Sequence, residues 1–593
     1  MRPAKWLLPL GALLALLLVA VACGGGEEGT ATVTGTPKPG ASPTAAAQAP
    51  ADQQQIIVQS GQPEFYDPQR SNFEQDIAIA RMLWRGLYQL ELTADGGVQA
   101  VPAMAAGEPT VNGAVYTVKL KPGLKWSDGV ALTAKDFEYG IKRECDPKVA
   151  GPYQYVFWQG ILEIVGCQAY GEALGTAAAP KTPTDAELQA LRDAVGAKAI
   201  DDTTIQITLA APKATFTTIM SLWPSFPARE DVITKFGDKW TDPGNIVTNG
   251  PFVITGLTAG AGGQVVLEPN PNWALEPKPA LRKITVKYID DLEAAFRAFQ
   301  TGELDITNIP APEIPTIKAD ATLSKEFLQV GASRIWSVEM LMKNPVLEGT
   351  AIGSKGYNVR LALSRAIDRK TLVKVVYNDA YLAADYWVVQ GLSGFQGNAA
   401  FEDKIGYDPA AAQKALSDAG YPNGQGFPTL KLTVLDRPDR KAEGEFLQKA
   451  WKETLNINVN IEAVDAKTRS STFNTENFDL FMGGWQTDYP DPENVLIGLF
   501  DTGGGNNKYE CSDPEIDAKL KAAGSETDNA KRIKDLQDAE TLVVTKLCGV
   551  APVWQGAFLY LADSKMGGLK PNGQIDAAMP GNWCPECWYV KAQ

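Results

Sequence analysis

Apolar residues recur along this chain in two rhythms, every second position and every third or fourth, and the two alternate. "IIVQSGQPEFYDP" predicts a short strand and then a turn at Asp67–Pro68. Ile79, Leu83 and Leu87 carry a helical spacing through the stretch 75–90. Tyr116, Val118 and Leu120 alternate as a strand, Pro122–Gly123 turns the chain, and Leu124 with Trp126 forms the predicted partner strand. Asp128–Gly129 is a second turn, and Thr133 with Asp136 has the spacing of a capping box that opens the next helix. "TDAELQALRDAVG" reads as a helix and "TTIQITL" as a strand. "GPFVITGLTAGAGGQVVLEPN" predicts a hairpin looped at Gly260–Gly263. Those glycines join two strands rather than a strand to a helix, so they do not make a phosphate cradle.

The strand "KITVKYI" then leads to a helix with Leu292, Phe296 and Phe299 on one face, stopped by Gly302. In the second half, "NVRLALSRAIDRKTLVKVVY" predicts two short helices, the second starting near Asp368, and "DPAAAQKALSDAGY" a third ended by Gly420. "TLKLTVL", "INVNIEAV" and "FDLFMGG" read as strands around the helix "KAEGEFLQKAWKETL". Strands interleaved with helices indicate an α/β layer. The last strand runs into "WQTDYPDP", so that motif sits at a strand's C-terminal end, where α/β sheets place ligands. It holds Asp488 and Asp491 among Trp485, Tyr489 and two prolines. Two close carboxylates suit acid–base catalysis, a metal site, a cation-binding pocket or a solvated turn. Asp491, between prolines, reads as a turn or cap residue.

Composition narrows the choice. The 593 residues carry a net charge of −15 and no histidine. At about 150 residues per domain the length suggests three or four domain-sized units. Without histidine the chain lacks the usual base of hydrolases and the commonest zinc ligand. No basic run marks a nucleic-acid surface. No metal or cofactor is expected.

At the N-terminus, Arg2 and Lys5 precede an apolar run from Trp6 to Ala22 and then Cys23, which predicts a secretory signal over 1–22. Val21, Ala22 and Cys23 resemble the bacterial lipobox, with Ala20 where leucine is usual. That resemblance implies cleavage before Cys23 and a lipid on it. The Gly/Thr/Pro/Ala-rich stretch from 24 to 55 has no apolar period and predicts a disordered tether. Export favours disulfides among Cys145, Cys167, Cys511, Cys548, Cys584 and Cys587. Proximity in sequence pairs Cys145–Cys167, Cys511–Cys548 and Cys584–Cys587, the last a structural CxxC rather than a redox one.

Seven stretches, in order, resemble extracytoplasmic solute-binding proteins of ABC importers in the peptide/nickel class, family 5, most like oligopeptide-binding proteins. They are "YTVKLKPGLKWSDGVALTAKDF", "GDKWTDPGNIVTNGPF", "NPNWALEPKPALRKITVKYI", "FQTGELDI", "VRLALSRAIDR", "YDPAAAQKALSDAGYP" and "FDLFMGGWQTDYPDP". The resemblance implies an α/β, two-lobed periplasmic-binding-protein-like fold of cluster C type, with three domains and a ligand cleft at the hinge. Domain I would comprise 56–101, 202–330 and 556–593, domain II 102–201 and domain III 331–555. It implies a monomeric receptor without catalysis, anchored by lipid at the cell surface or in the periplasm. Such a receptor hands peptides to an ABC permease driven by an ATPase.

By the same resemblance, Asp488 of W-x-x-D-Y pairs with the peptide's α-amino group and Trp485 packs on ligand side chains. The backbone of Gly484, Gln486 and Thr487, and that of Asn72, Phe73 and Glu74, would pair with the ligand main chain, with Tyr489 alongside. Two departures stand out. The strand "NFDLFMGG" lacks the basic residues that meet a peptide carboxylate, and a tryptophan is replaced in "VDAKTRSS". An oligosaccharide or other small solute in the same architecture is the alternative ligand. A glycosidase using Asp488 and Asp491 is the remote alternative.

Overall fold

The computed structural model describes residues 47–592, apart from 94–96, 159–160, 176–178 and 261. The expected signal segment and Cys23 lie outside the described residues. The frame is an eleven-stranded mixed sheet. Its order runs Val459–Val464, Leu430–Leu435, Leu480–Gln486, Phe327–Met340, Val550–Ala562, Ile306–Asn308, Gln55–Ser60, Lys283–Tyr288, Gln264–Pro269, Phe252–Thr258, with Leu382–Ala383 pairing beside Val550–Ala562. A separate four-stranded sheet joins Thr110–Asn112, Val115–Lys119, Thr204–Thr208 and Ala197–Asp201. Its strand Thr204–Thr208 lies beyond the boundary expected at 201.

Two hydrophobic cores form around this frame. The first gathers residues of the N-terminal half with Met566, Met579, Trp588 and Val590. The second gathers residues from Ala295 to Leu561. The two longest strands, Phe327–Met340 and Val550–Ala562, pair antiparallel from Phe327↔Leu561 to Glu339↔Val550 and tie the two sides together. Their register shifts between Gly331 and Ile335 and again at Trp336/Ser337. Such bulges bend and twist a strand pair, here next to the junction of the cores.

Most predicted elements form. The capping box opens the helix Ala134–Glu144, where the Thr133 amide donates to Asp136 Oδ2 at 2.7 Å. Asp368 caps Arg369–Tyr377. The strands Phe252–Thr258 and Gln264–Pro269 pair antiparallel as the predicted hairpin requires, and the Gly263 amide donates to the Gly260 carbonyl at 2.8 Å. Three expectations are corrected. The predicted helix over 75–90 stops at Leu83, and Tyr88–Leu92 is a strand paired with Val98–Pro102, because Trp84 turns extended and Gly86 packs against Phe226. Val115–Lys119 pairs with Thr110–Asn112 and Thr204–Thr208, not with Leu124–Trp126, which instead closes a tight loop on Val130 and Leu132. The expected tether is ordered from 47 onward. Gln54 Nε2 donates to the carbonyls of Ala49 (2.9 Å) and Val590 (3.0 Å), and its Oε1 accepts from the Val590 amide at 2.9 Å.

The three disulfides are Cys145–Cys167, Cys511–Cys548 and Cys584–Cys587. Among the described residues no helix is long and apolar enough to cross a membrane. Cys511–Cys548 closes the longest loop, with a sequence separation of 37, inside the second core. Replacing both cysteines by serine is expected to lower unfolding free energy by about 2–4 kcal/mol in a denaturant titration, through loss of a constraint on the unfolded chain.

Candidate functional site

The strand Leu480–Gln486 lies antiparallel to Phe327–Met340, with Gly484 opposite Trp336 and Gln486 opposite Arg334. A Cβ on Gly484 would stand 2.0 Å from the Ile335 carbonyl oxygen, so only glycine allows the two backbones this close. On its other side this strand pairs with Leu430–Leu435 only at Leu480 and Phe481. From Met482 onward that edge has no strand partner among the described residues. The chain leaves the sheet where the Thr487 amide and hydroxyl both donate to the Ser333 carbonyl, each at 2.7 Å. That fixes the next residue, Asp488, at the wall of a cavity of about 270 Å³ between the two cores.

Asn494, on the helix Pro492–Phe500, organises this corner. Its Oδ1 accepts from the Asp488 amide and from Trp485 Nε1, both at 3.0 Å, and its Nδ2 donates to Asp488 Oδ2 at 3.2 Å. From the other side the Tyr155 hydroxyl donates to the same Oδ2 in a short hydrogen bond. Burial pushes the Asp488 carboxyl above its ordinary range, and hydrogen bonds from Tyr155, Asn494 and Tyr153 pull the other way. The Tyr155 phenol is pushed up by burial and then by Asp488. Every partner of Asp488 is neutral. Among the described residues no lysine or arginine pairs with it.

The cavity also takes walls from Asn72, Phe73, Glu74, Ile77, Trp223 and the segment Gln574–Ala577. Gln486 Nε2 donates to Glu74 Oε1 at 2.7 Å, Arg334 Nη2 donates to the same oxygen at 3.1 Å, and Arg334 Nε donates to Gln486 Oε1 at 3.0 Å. These contacts join the two expected ligand-pairing segments through side chains. At the far side Asp576 accepts from the amides of Gly581 (2.9 Å) and Asn572 (2.8 Å). Burial pushes its carboxyl up to about 8, although Arg81 nearby opposes this. Arg81 also lines the cavity, and burial pulls its guanidinium down to about 10.

The structure thus brings together Gln486, Thr487, Asp488, Asn72, Phe73 and Glu74 around one cavity. The amides of Asn72 and Phe73, however, already donate to Asp76 Oδ2, at 3.1 and 3.2 Å, so they are not free for a ligand's main chain. Trp485 and Gly484 border a second, smaller cavity instead. Tyr489 is placed elsewhere: its ring is buried in the first core, where it packs rather than lining either cavity. Asp491 is structural. It accepts from the Glu493 amide at 2.9 Å to cap the helix and pairs with Arg532 at 2.8 and 2.5 Å. A carboxylate held in that buried pair is not available as a glycosidase partner of Asp488. Tyr153, Tyr155, Arg334 and Asp576 were not singled out in the sequence. The aromatic density of "GPYQYVFW" is a signal that could lead to the tyrosines.

Residues 99–507 match the family model described as bacterial extracellular solute-binding proteins, family 5. The oligopeptide-binding protein OppA of Bacillus subtilis is 27% identical over 506 residues, covering 83% of this chain and 85% of its own length. The periplasmic oligopeptide-binding protein OppAIV of Borrelia burgdorferi superposes with a TM-score of 0.67 at 26% identity, covering 88% of this chain and 100% of that one. The murein tripeptide-binding protein MppA of Escherichia coli shares the fold, with a TM-score of 0.69 at 23% identity over 91% of this chain and 99% of that one. With well over half of its length inside the family model, the chain belongs to the bacterial extracellular solute-binding proteins of family 5.

Proposed function

We propose that this protein is a peptide receptor that clamps short oligopeptides between two lobes and delivers them to an ABC permease, binding its cargo without chemical turnover. The observation that carries this reading is Asp488, a carboxylate enclosed at the cavity wall whose partners among the described residues are all neutral. A peptide's α-ammonium supplies the missing cation. In an enclosed cleft that pair is worth more than on a surface, and a ligand without the charge leaves the carboxylate unpaired. The open backbone edge beyond Met482 accepts an added strand, which gives affinity without reading side chains. The names of the relatives, oligopeptide- and murein tripeptide-binding proteins, agree with this reading.

The three-domain division, with domain II carrying Tyr153 and Tyr155 and domain III carrying Asp488, belongs to the same proposal. So does export, with Cys23 lipidated and the segment after it serving as a leash. On this reading Tyr155–Asp488 and Glu74–Arg334–Gln486 are the contacts that hold the lobes shut.

Calorimetric titration with trialanine and its N-acetyl form tests the anchor. Asp488→Asn is expected to weaken the unblocked peptide by about 2–5 kcal/mol, as for one partner of a buried charge pair, and to leave the acetylated peptide unchanged. Equal affinity of wild type and variant for trialanine would end the assignment. A pH series gives a second check. Burial raises the carboxyl of the empty site and the ammonium favours its ionised form, so binding is strongest above the raised pKa. Affinity for trialanine is expected to fall by up to about tenfold per pH unit as pH drops through it, and this dependence disappears in Asp488→Asn.

A further inference from the structure

The second cavity, about 150 Å³, lies under the sheet next to the first, on the same strand. Phe481, Gly483 and Trp485 alternate onto one face there, and Glu339, directly opposite Phe481, shares that face. The helix Ala466–Asn474 contributes Arg469 and Phe473 to the same cavity, and Tyr509 closes one side.

Three polar atoms of residues lining this cavity are buried and have no hydrogen-bond partner among the described residues: Glu339 Oε2, Arg469 Nε and Tyr509 Oη. Leaving buried donors and acceptors unmatched costs about 1–3 kcal/mol each, and native proteins keep few of them. Three in one small cavity indicate a site that an incoming group completes. The chain is shaped to hold them there. A Cβ on Gly483 would stand 2.3 Å from Glu339 Oε2, so glycine lets the acid lie flat against the strand. Arg469 Nη2 donates to the Met482 carbonyl at 2.6 Å, and the guanidinium sits 4.5 Å from the Phe481 ring centroid.

The charge balance chooses the class of guest. Burial pushes the Glu339 carboxyl up to about 8, with Arg469 acting against the shift. Burial also pulls the Arg469 guanidinium down while Glu339 opposes this, and the cavity offers Arg469 Nε and the Tyr509 hydroxyl as donors with no partner among the described residues. A cationic guest would face Arg469, and the Phe481 ring that could have received it is already covered. Resting on the peptide reading, we propose that this cavity takes an acidic side chain of the bound peptide, held by Arg469 with Glu339 and Tyr509 completing its hydrogen bonds. A side chain fits better than a chain terminus. On a strand added along the open edge beyond Met482, side chains alternate onto the sheet faces, whereas the terminus continues along the strand.

The test uses tetraalanine with Glu, Gln or Lys substituted at each of positions two and three, every peptide with a free and an amidated C-terminus. At one position the Glu peptide is expected to bind about tenfold or more tighter than the Gln peptide, as charge-assisted hydrogen bonds require. That preference should survive amidation. Arg469→Met should bring the Glu peptide to the level of the Gln peptide while leaving the Gln peptide unchanged, which also reports an intact fold. Tyr509→Phe is the milder companion variant and should reduce the preference in part. Asp488→Asn, by contrast, should weaken all the peptides alike. Equal binding of Glu and Gln peptides, a preference for Lys, or a preference lost on amidation would overturn the acidic side-chain assignment and leave the peptide reading standing. Failure of every peptide to bind would overturn both.

Discussion

A buried carboxylate that no lysine or arginine pairs with among the described residues is the constraint around which this corner of the molecule is organised. Asp488 is held by Tyr155 and Asn494, which are neutral, and its carboxyl is pushed upward by burial. On the proposed reading an outside positive charge stabilises it, and the α-ammonium of a bound peptide supplies that charge. The surroundings are built to keep the carboxylate fixed. Thr487 is tied to Ser333, Asn494 bonds to both backbone and side chain of Asp488, and Asp491 locks the following helix through Arg532.

The frame explains why the carboxylate meets groups from distant parts of the sequence. Phe327–Met340 and Val550–Ala562 run through the sheet between the two cores and bend at two register shifts. Ser333 and Arg334 lie at one of these shifts, and both contact the Gln486–Thr487 corner. The glycines of "MGGW" let this strand lie tight against its neighbour at Gly484 and let Glu339 approach it at Gly483. One strand thereby serves two cavities, with residues 486–488 at the first and Phe481, Gly483, Gly484 and Trp485 at the second.

Much of this was legible in the sequence where signals are local. Capping residues such as Thr133 and Asp368, the Gly260–Gly263 hairpin loop and the alternating strands carry their own instructions. The three cysteine pairs follow from proximity along the chain. Asp488 was visible because it follows a strand end. The two longest strands were not legible, since "FLQVGASRIWSVEM" is bulged and buried on both faces over much of its length and therefore loses the alternation that marks a half-exposed strand. Leu87 looked helical because its spacing from Leu83 fits a turn, while tertiary pairing drew the residues after it into a strand. Tyr155, Arg334 and Glu339 act through contacts hundreds of positions apart or across a sheet, which no local pattern encodes. Arg469 was hidden for a related reason: the strand "NFDLFMGG" is almost uncharged, and the guanidinium arrives from the preceding helix.

The charge state of the Asp488 side chain can be measured directly. Carbon-13 labelling of the aspartates, with the Asp488 carboxyl assigned by comparison with Asp488→Asn, allows its titration to be followed with and without trialanine. A midpoint above the ordinary aspartate range is expected in the empty protein, with a marked fall when the peptide is bound. A midpoint that trialanine at saturation leaves unmoved would contradict the proposed pairing, because an ammonium paired with that carboxylate cannot leave its ionisation unchanged.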